Sequence, residues 1–113
     1  MSYNQWDILL VPFPFTDLSS QKKRPALVIS HDIYNAEGDV IIGFITSQLS
    51  GELKIGDYLI EEWEKAGLPK ASKVRMKLAT LHEDIIIKKI GKMTPKDVSR
   101  FHEVLREFFL TGI

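Results

Sequence analysis

Two short apolar runs, Pro25-Ala-Leu-Val-Ile-Ser30 and Val40-Ile-Ile-Gly-Phe-Ile-Thr-Ser-Gln48, restrict the fold of this chain more than any other feature. Both are rich in β-branched or aromatic residues and short enough to be strands. Between them, Asp32 to Asp39 carries Asn, Gly and two Asp, the residues of a reversing connection. If the runs pair as an antiparallel hairpin about that connection, Arg24 falls opposite or next to Thr46. A guanidinium and a hydroxyl then share one sheet end. That combination suits a phosphate, because Arg offers a planar fork of donors and Thr adds a hydroxyl.

The rest of the chain reads in the same short units. Trp6 to Val11 is a strand stopped by Pro12, and Phe13 to Lys23 is a long polar loop with a proline at 14. Further strands are expected at 55–60, at 74–78, where apolar and basic residues alternate, and at 85–90. The segment 61–69 holds at most one or two helical turns before Gly67 and Pro69. One amphipathic helix closes the chain. Thr94 suits its N-cap, Pro95 its first position, and Asp97 approximates a capping box. Val98, Phe101, Val104, Leu105, Phe108 and Phe109 form its apolar stripe. The expected fold is mainly β, a single domain over 1–113: a small antiparallel barrel of about five to seven strands with the helix packed on it.

There are no cysteines, so disulfides and thiolate metal sites are excluded. His31, His82 and His102 lack metal-ligand spacing, and neither a metal nor a cofactor is expected. No apolar stretch is long enough to span a bilayer, and the first residues lack the pattern of a secretory signal, so a cytoplasmic protein without membrane association is expected. The net charge is zero but unevenly spread. Residues 1–69 hold five basic and ten acidic side chains, whereas residues 70–96 hold eight and two. That basic block (Lys70, Lys73, Arg75, Lys77, Lys88, Lys89, Lys92, Lys96), with Lys22, Lys23 and Arg24, either builds one positive surface or lies on separate solvated faces. His31, at the end of the second strand, is either a proton donor near the site or a solvated loop-edge residue. Asp17 and Asp32 either orient Arg24 or serve turn chemistry. Trp63 either meets a partner or covers one end of the barrel.

Three stretches, Asp7-Ile-Leu-Leu-Val-Pro-Phe-Pro-Phe-Thr-Asp-Leu-Ser19, Lys23-Arg-Pro-Ala-Leu-Val-Ile-Ser30 and Ile45-Thr-Ser-Gln48, resemble the PemK/MazF toxins of toxin–antitoxin systems. So does Val74-Arg-Met-Lys-Leu-Ala-Thr-Leu81, followed by Lys88-Lys-Ile-Gly-Lys92 and a terminal helix. The resemblance runs through nearly the whole chain in order. It implies an SH3-like barrel, a homodimer, and metal-independent cleavage of single-stranded RNA, blocked by a cognate antitoxin. The family's active-site arginine falls on Arg24 and its active-site threonine or serine on Thr46. Lys22, Lys23, Ser47, Gln48, Arg75 and Lys77 are the expected RNA-binding residues, with His31 and Asp32 as accessories. In Met76-Lys77-Leu78-Ala79-Thr80 the chain departs from many members, which carry an acid and Gln before a basic residue and Thr. The pattern resembles a divergent PemK-like subgroup. Two rival readings share the fold: a gyrase-inhibiting toxin of the CcdB type, whose Gly-Ile ending resembles Gly112-Ile113, and a member that binds RNA or antitoxin without cleaving.

Overall fold

A computed structural model describes residues 3–13 and 22–110. Six antiparallel strands form one curled sheet: β1 (Asp7–Pro12), β2 (Lys23–Val28), β3 (Asp39–Thr46), β4 (Tyr58–Leu59), β5 (Lys73–His82) and β6 (Lys88–Lys92). Their order across the sheet is β4-β5-β3-β2-β1-β6. A single helical turn, α1 (Asp32–Asn35), lies in the β2–β3 connection, and α2 (Pro95–Leu110) closes the described chain. The mainly β fold with a C-terminal helix that the strand pattern predicts is present, with its six strands forming a half-barrel.

Strands in this sheet are apolar on both faces because both faces are covered. Ile8, Leu27, Ile45 and Val74 point to one core, which Phe101 of α2 completes with Ile60, Ala66 and Leu68. The alternate residues Leu9, Val11, Ala26, Val28, Val40, Ile42 and Leu81 fill a second core, with Ile86 at its edge. Hence β1 reads as an uninterrupted apolar run rather than an alternating one. Trp63 packs against the first core. Gly91 lets backbone meet backbone there: a Cβ at that position would lie 1.8 Å from the Ala66 carbonyl oxygen.

The structure revises several local expectations. The strand expected over 55–60 shrinks to two residues, and the segment after it forms turns rather than a helix. Residues 83–85 form a 3₁₀ turn, so β6 begins only at Lys88. Thr94 caps α2 as expected, accepting from the Asp97 amide at 3.4 Å. Asp97 does not return the favour of a capping box. Its carboxylate is fully buried and accepts from the Tyr58 hydroxyl and from the Glu61 and Glu62 amides. Asp97 therefore ties the helix to the segment after β4. Burial, and then the Asp97 carboxylate, push the Tyr58 phenol up, so it stays a donor.

The basic block does not form one surface. Lys88, Lys89 and Lys92 lie on β6, at the far border of the sheet from β5, and Lys89 pairs with Asp7 at 3.1 Å. Lys96 bonds Glu61 at 2.9 Å. Among the described residues no helix is long and apolar enough to cross a membrane.

Candidate active site

One end of the sheet opens into a cleft of about 550 Å³, where β1 and β3 finish and β2 and β5 begin. In the β2–β3 ladder Ala26 pairs with Phe44. Continuing that register by two residues sets Arg24 across from Thr46, and both line the cleft. The pairing expected from the two apolar runs is thus the one that the strands adopt.

Each side chain is placed by its local backbone. Arg24 stands exposed at the start of β2, with its guanidinium carbon 5.8 Å from the centre of the Phe13 ring, at cation–π distance. Phe13 meets Phe44 edge to face, their centroids 5.3 Å apart. Thr46 ends β3, and its Oγ1 accepts from the Gln48 amide at 3.1 Å. That bond bends the chain at Ser47 and Gln48, and both residues join the lining. The hydroxyl proton of Thr46 stays available to a ligand oxygen. A bulge in β5 contributes the facing wall. Gly43 pairs with Leu78 but Phe44 pairs with Arg75, so Met76 and Lys77 are extra residues on β5. Arg75 and Lys77 both line the cleft.

The electrostatics of the lining are one-sided. Arg24, Lys70, Arg75 and Lys77 line it, and no Asp, Glu or His does so among the described residues. Concave, singly signed walls of this kind concentrate an anion. No group of His, Cys, Asp or Glu among the described residues is placed to hold a metal ion.

Beside this cleft is a smaller one of about 260 Å³ that shares Thr46, Gln48 and Arg75 with it. Its lining includes a buried ion pair, Lys73 to Asp57 at 3.2 Å, with side chains only 8% and 3% exposed. Lys73 is the cross-strand partner of Thr46. Burial pushes the Asp57 carboxyl up, but the Lys54 amide and the Lys73 ammonium outweigh it and hold the group below its ordinary value. Lys73, counted in the sequence as part of a positive surface, is thus consumed inside the fold.

Of the expected site residues, the cleft gathers Arg24, Thr46, Ser47, Gln48, Arg75 and Lys77. Lys22 and Lys23 lie just before Arg24, exposed and outside the lining. His31 and Asp32 sit at the opposite end of β2, because the chain runs the length of that strand between them and Arg24. His31 caps α1 through a bond from the Ile33 amide at 3.2 Å, and Asp32 accepts from the Gln5 amide at 2.7 Å. Both therefore serve local structure. Phe13, Pro25, Phe44, Pro69, Lys70 and Ser72 also line the cleft, unassigned by the sequence reading. Lys70 had a signal, its place in the basic block. The Phe13–Phe44 contact joins residues too distant in sequence for any pattern to show. Asp17, Phe15 and the Gly112-Ile113 ending lie outside the described residues.

More than nine-tenths of the chain can be laid on solved structures at low identity. An endoribonuclease of a mycobacterial species, solved with its cognate antitoxin, superposes with a TM-score of 0.71 at 15% identity, over 93% of this chain and 90% of that one. A MazE–MazF structure from Deinococcus radiodurans gives 0.72 at 13% identity, over 97% of each chain. Toxin MazF-mt6 of Mycobacterium tuberculosis gives 0.71 at 17% identity, over 91% and 95%. At such identities the likeness establishes the fold. No curated protein matches the sequence. The family model of PemK-like, MazF-like toxins of type II toxin–antitoxin systems matches residues 4–109, and with the half-barrel and its cationic end in place, the chain belongs to that family.

Proposed function

We propose that this toxin is a metal-independent endoribonuclease that cleaves single-stranded RNA and thereby inhibits growth. The observation that carries the reading is that Arg24 and Thr46, each two residues beyond the last β2–β3 pair, line one cleft together with three more cations. RNA brings its own nucleophile, the 2′-hydroxyl. The cleft-lining side chains among the described residues include no carboxylate or imidazole, so what they offer is electrostatic stabilisation and positioning. The 2′-oxygen attacks phosphorus and loses its proton to a phosphate oxygen or water. The bond from phosphorus to the 5′-oxygen breaks, and that oxygen takes up a proton. The products are a 2′,3′-cyclic phosphate and a 5′-hydroxyl end. Arg24 neutralises the charge that grows on the phosphate, and its fork can donate towards the leaving oxygen. Thr46 donates to a non-bridging oxygen. Phe13 and Phe44 offer rings on which a base can stack.

The test is incubation of the purified protein with a long unstructured RNA in excess EDTA, with the new ends analysed. Cleavage with cyclic phosphate ends is expected, and intact RNA would overturn the reading. The structures of relatives bound to antitoxins support a cognate antitoxin as this toxin's partner.

The active form proposed is a homodimer. The aromatic argument for it narrows: Phe101 is buried within the protomer and Phe13 packs on Phe44, leaving Phe108, Phe109 and Leu110 exposed at the end of α2. Light scattering at micromolar concentration is expected to give twice the protomer mass of 12.9 kDa.

A further inference from the structure

The two adjoining clefts differ in charge in a way that assigns them different parts of a nucleotide. The larger carries four cationic side chains and no carboxylate among the described residues, so it takes phosphate. The smaller carries Glu52 and Asp57 alongside Lys54, Lys73 and Arg75, and Asp57 and Lys73 neutralise one another at 3.2 Å. A phosphate entering there meets the Glu52 carboxylate as well as Lys54 and Arg75, so the lining is less one-sided than in the larger cleft, and an uncharged base does not suffer the Glu52 repulsion. At about 260 Å³ the space lies just below the usual range of ligand pockets, roughly 300–1,000 Å³, and suits one base rather than a second nucleotide.

We propose that the smaller cleft is a base-recognition subsite that selects guanine beside the scissile phosphate, with Glu52 and Lys54 as its readers. The proposal rests on the ribonuclease reading and specifies its substrate. Glu52 and the Lys54 ammonium make no side-chain hydrogen bond or ion pair among the described residues, so both are available to a ligand. A carboxylate accepts through two oxygens side by side and is best matched by two adjacent donors. Guanine alone among the four RNA bases presents two adjacent donors, N1–H and the N2 amino group, on its Watson–Crick edge. On the same edge it presents O6, an acceptor for the Lys54 ammonium. Cytosine, adenine and uracil each offer Glu52 a single donor position there. The buried pair below is the rigid part of the subsite. Asp57 accepts from the Lys54 amide at 3.0 Å and thereby fixes the backbone that carries the reading lysine. Through Lys73 the same unit is joined to β5 opposite Thr46, so subsite and reacting phosphate keep a set spacing.

The experiment compares binding of two 2′-O-methyl RNA hexamers, all-uridine and uridine with one central guanosine, to wild type and to Glu52→Gln. Blocking the 2′-oxygen removes cleavage, so the result does not depend on catalysis. Wild type is expected to bind the guanosine hexamer about tenfold or more tightly, the discrimination typical of one bidentate base contact. In Glu52→Gln that ratio is expected to fall close to one. Equal binding of both hexamers by wild type, an unchanged ratio in Glu52→Gln, or no binding of either hexamer would each overturn the proposal. So would a larger preference for cytidine or adenosine in hexamers of the same design. Failure here with RNA cleavage intact removes the subsite alone, whereas absence of cleavage by wild type in EDTA removes the ribonuclease reading.

Discussion

Arg24→Ala is expected to lower single-turnover RNA cleavage by about 100–1,000-fold while leaving the fold intact, because it deletes one preorganised donor to the charge that develops on the phosphate. Arg24 is exposed at the start of β2, so the fold does not depend on its side chain. Arg24→Lys is expected to be nearly as damaging, since a point charge cannot replace a planar fork. Thr46→Ala should fall in the same range, because its hydroxyl both shapes the Ser47–Gln48 turn and donates into the cleft. His31→Ala, at the other end of the strand, is expected to leave the rate within a few-fold of wild type. Single-turnover cleavage at saturating enzyme, with circular dichroism as the folding control, decides the matter. Full activity in a folded Arg24→Ala protein would sink the mechanism.

The second large effect concerns stability. Asp97→Ala is expected to cost about 2–3 kcal/mol, because it removes a fully buried carboxylate and leaves the part-buried Tyr58 hydroxyl and the amides of Glu61 and Glu62 without their acceptor. If Asp97 merely supported the helix start, the loss would be about 1 kcal/mol, the worth of a cap. Thr94→Ala gives the internal comparison. It removes the cap and a bond to Glu62 at 2.6 Å, but leaves the buried carboxylate satisfied. Urea unfolding of the three proteins separates the two roles. A loss in Asp97→Ala no greater than that in Thr94→Ala would return Asp97 to a capping role.

What could be read from the sequence was whatever depends on neighbours along the chain. The β2–β3 hairpin was legible because its apolar runs and its turn-rich connection are contiguous, and the placing of Arg24 and Thr46 at one sheet end followed from counting. The helix was legible from Thr94, Pro95 and the stripe behind them. What escaped was set by distance. Asp97 carries the sequence mark of a capping residue, yet it bonds a segment more than thirty residues earlier. Lys73 looks like any lysine in a basic stretch until the connection after β3 brings Asp57 against it. The basic block looked like one feature because its members are close in sequence, but the strand order sets β5 and β6 apart. The short β4 shows the same limit, since the apolar residues of 55–60 fit a strand but among them only Ile60, just past β4, is buried deeply.

The lysines of β6 have a different consequence. A sheet that is not fully closed has two borders, and each border is an invitation to another chain's backbone. Here one border is β6, where Lys88, Lys89 and Lys92 occupy three of five positions, and the other is β4, only two residues long. β6 therefore offers a neighbour little to zip onto, whereas residues 75–82 of β5, beyond the two that β4 pairs, keep an outer edge without a strand among the described residues. Another chain is thereby kept off β6 and meets the protein on its faces or along β5. Recognition through a face carries no register to preserve, so it can be altered one residue at a time without disturbing the half-barrel beneath.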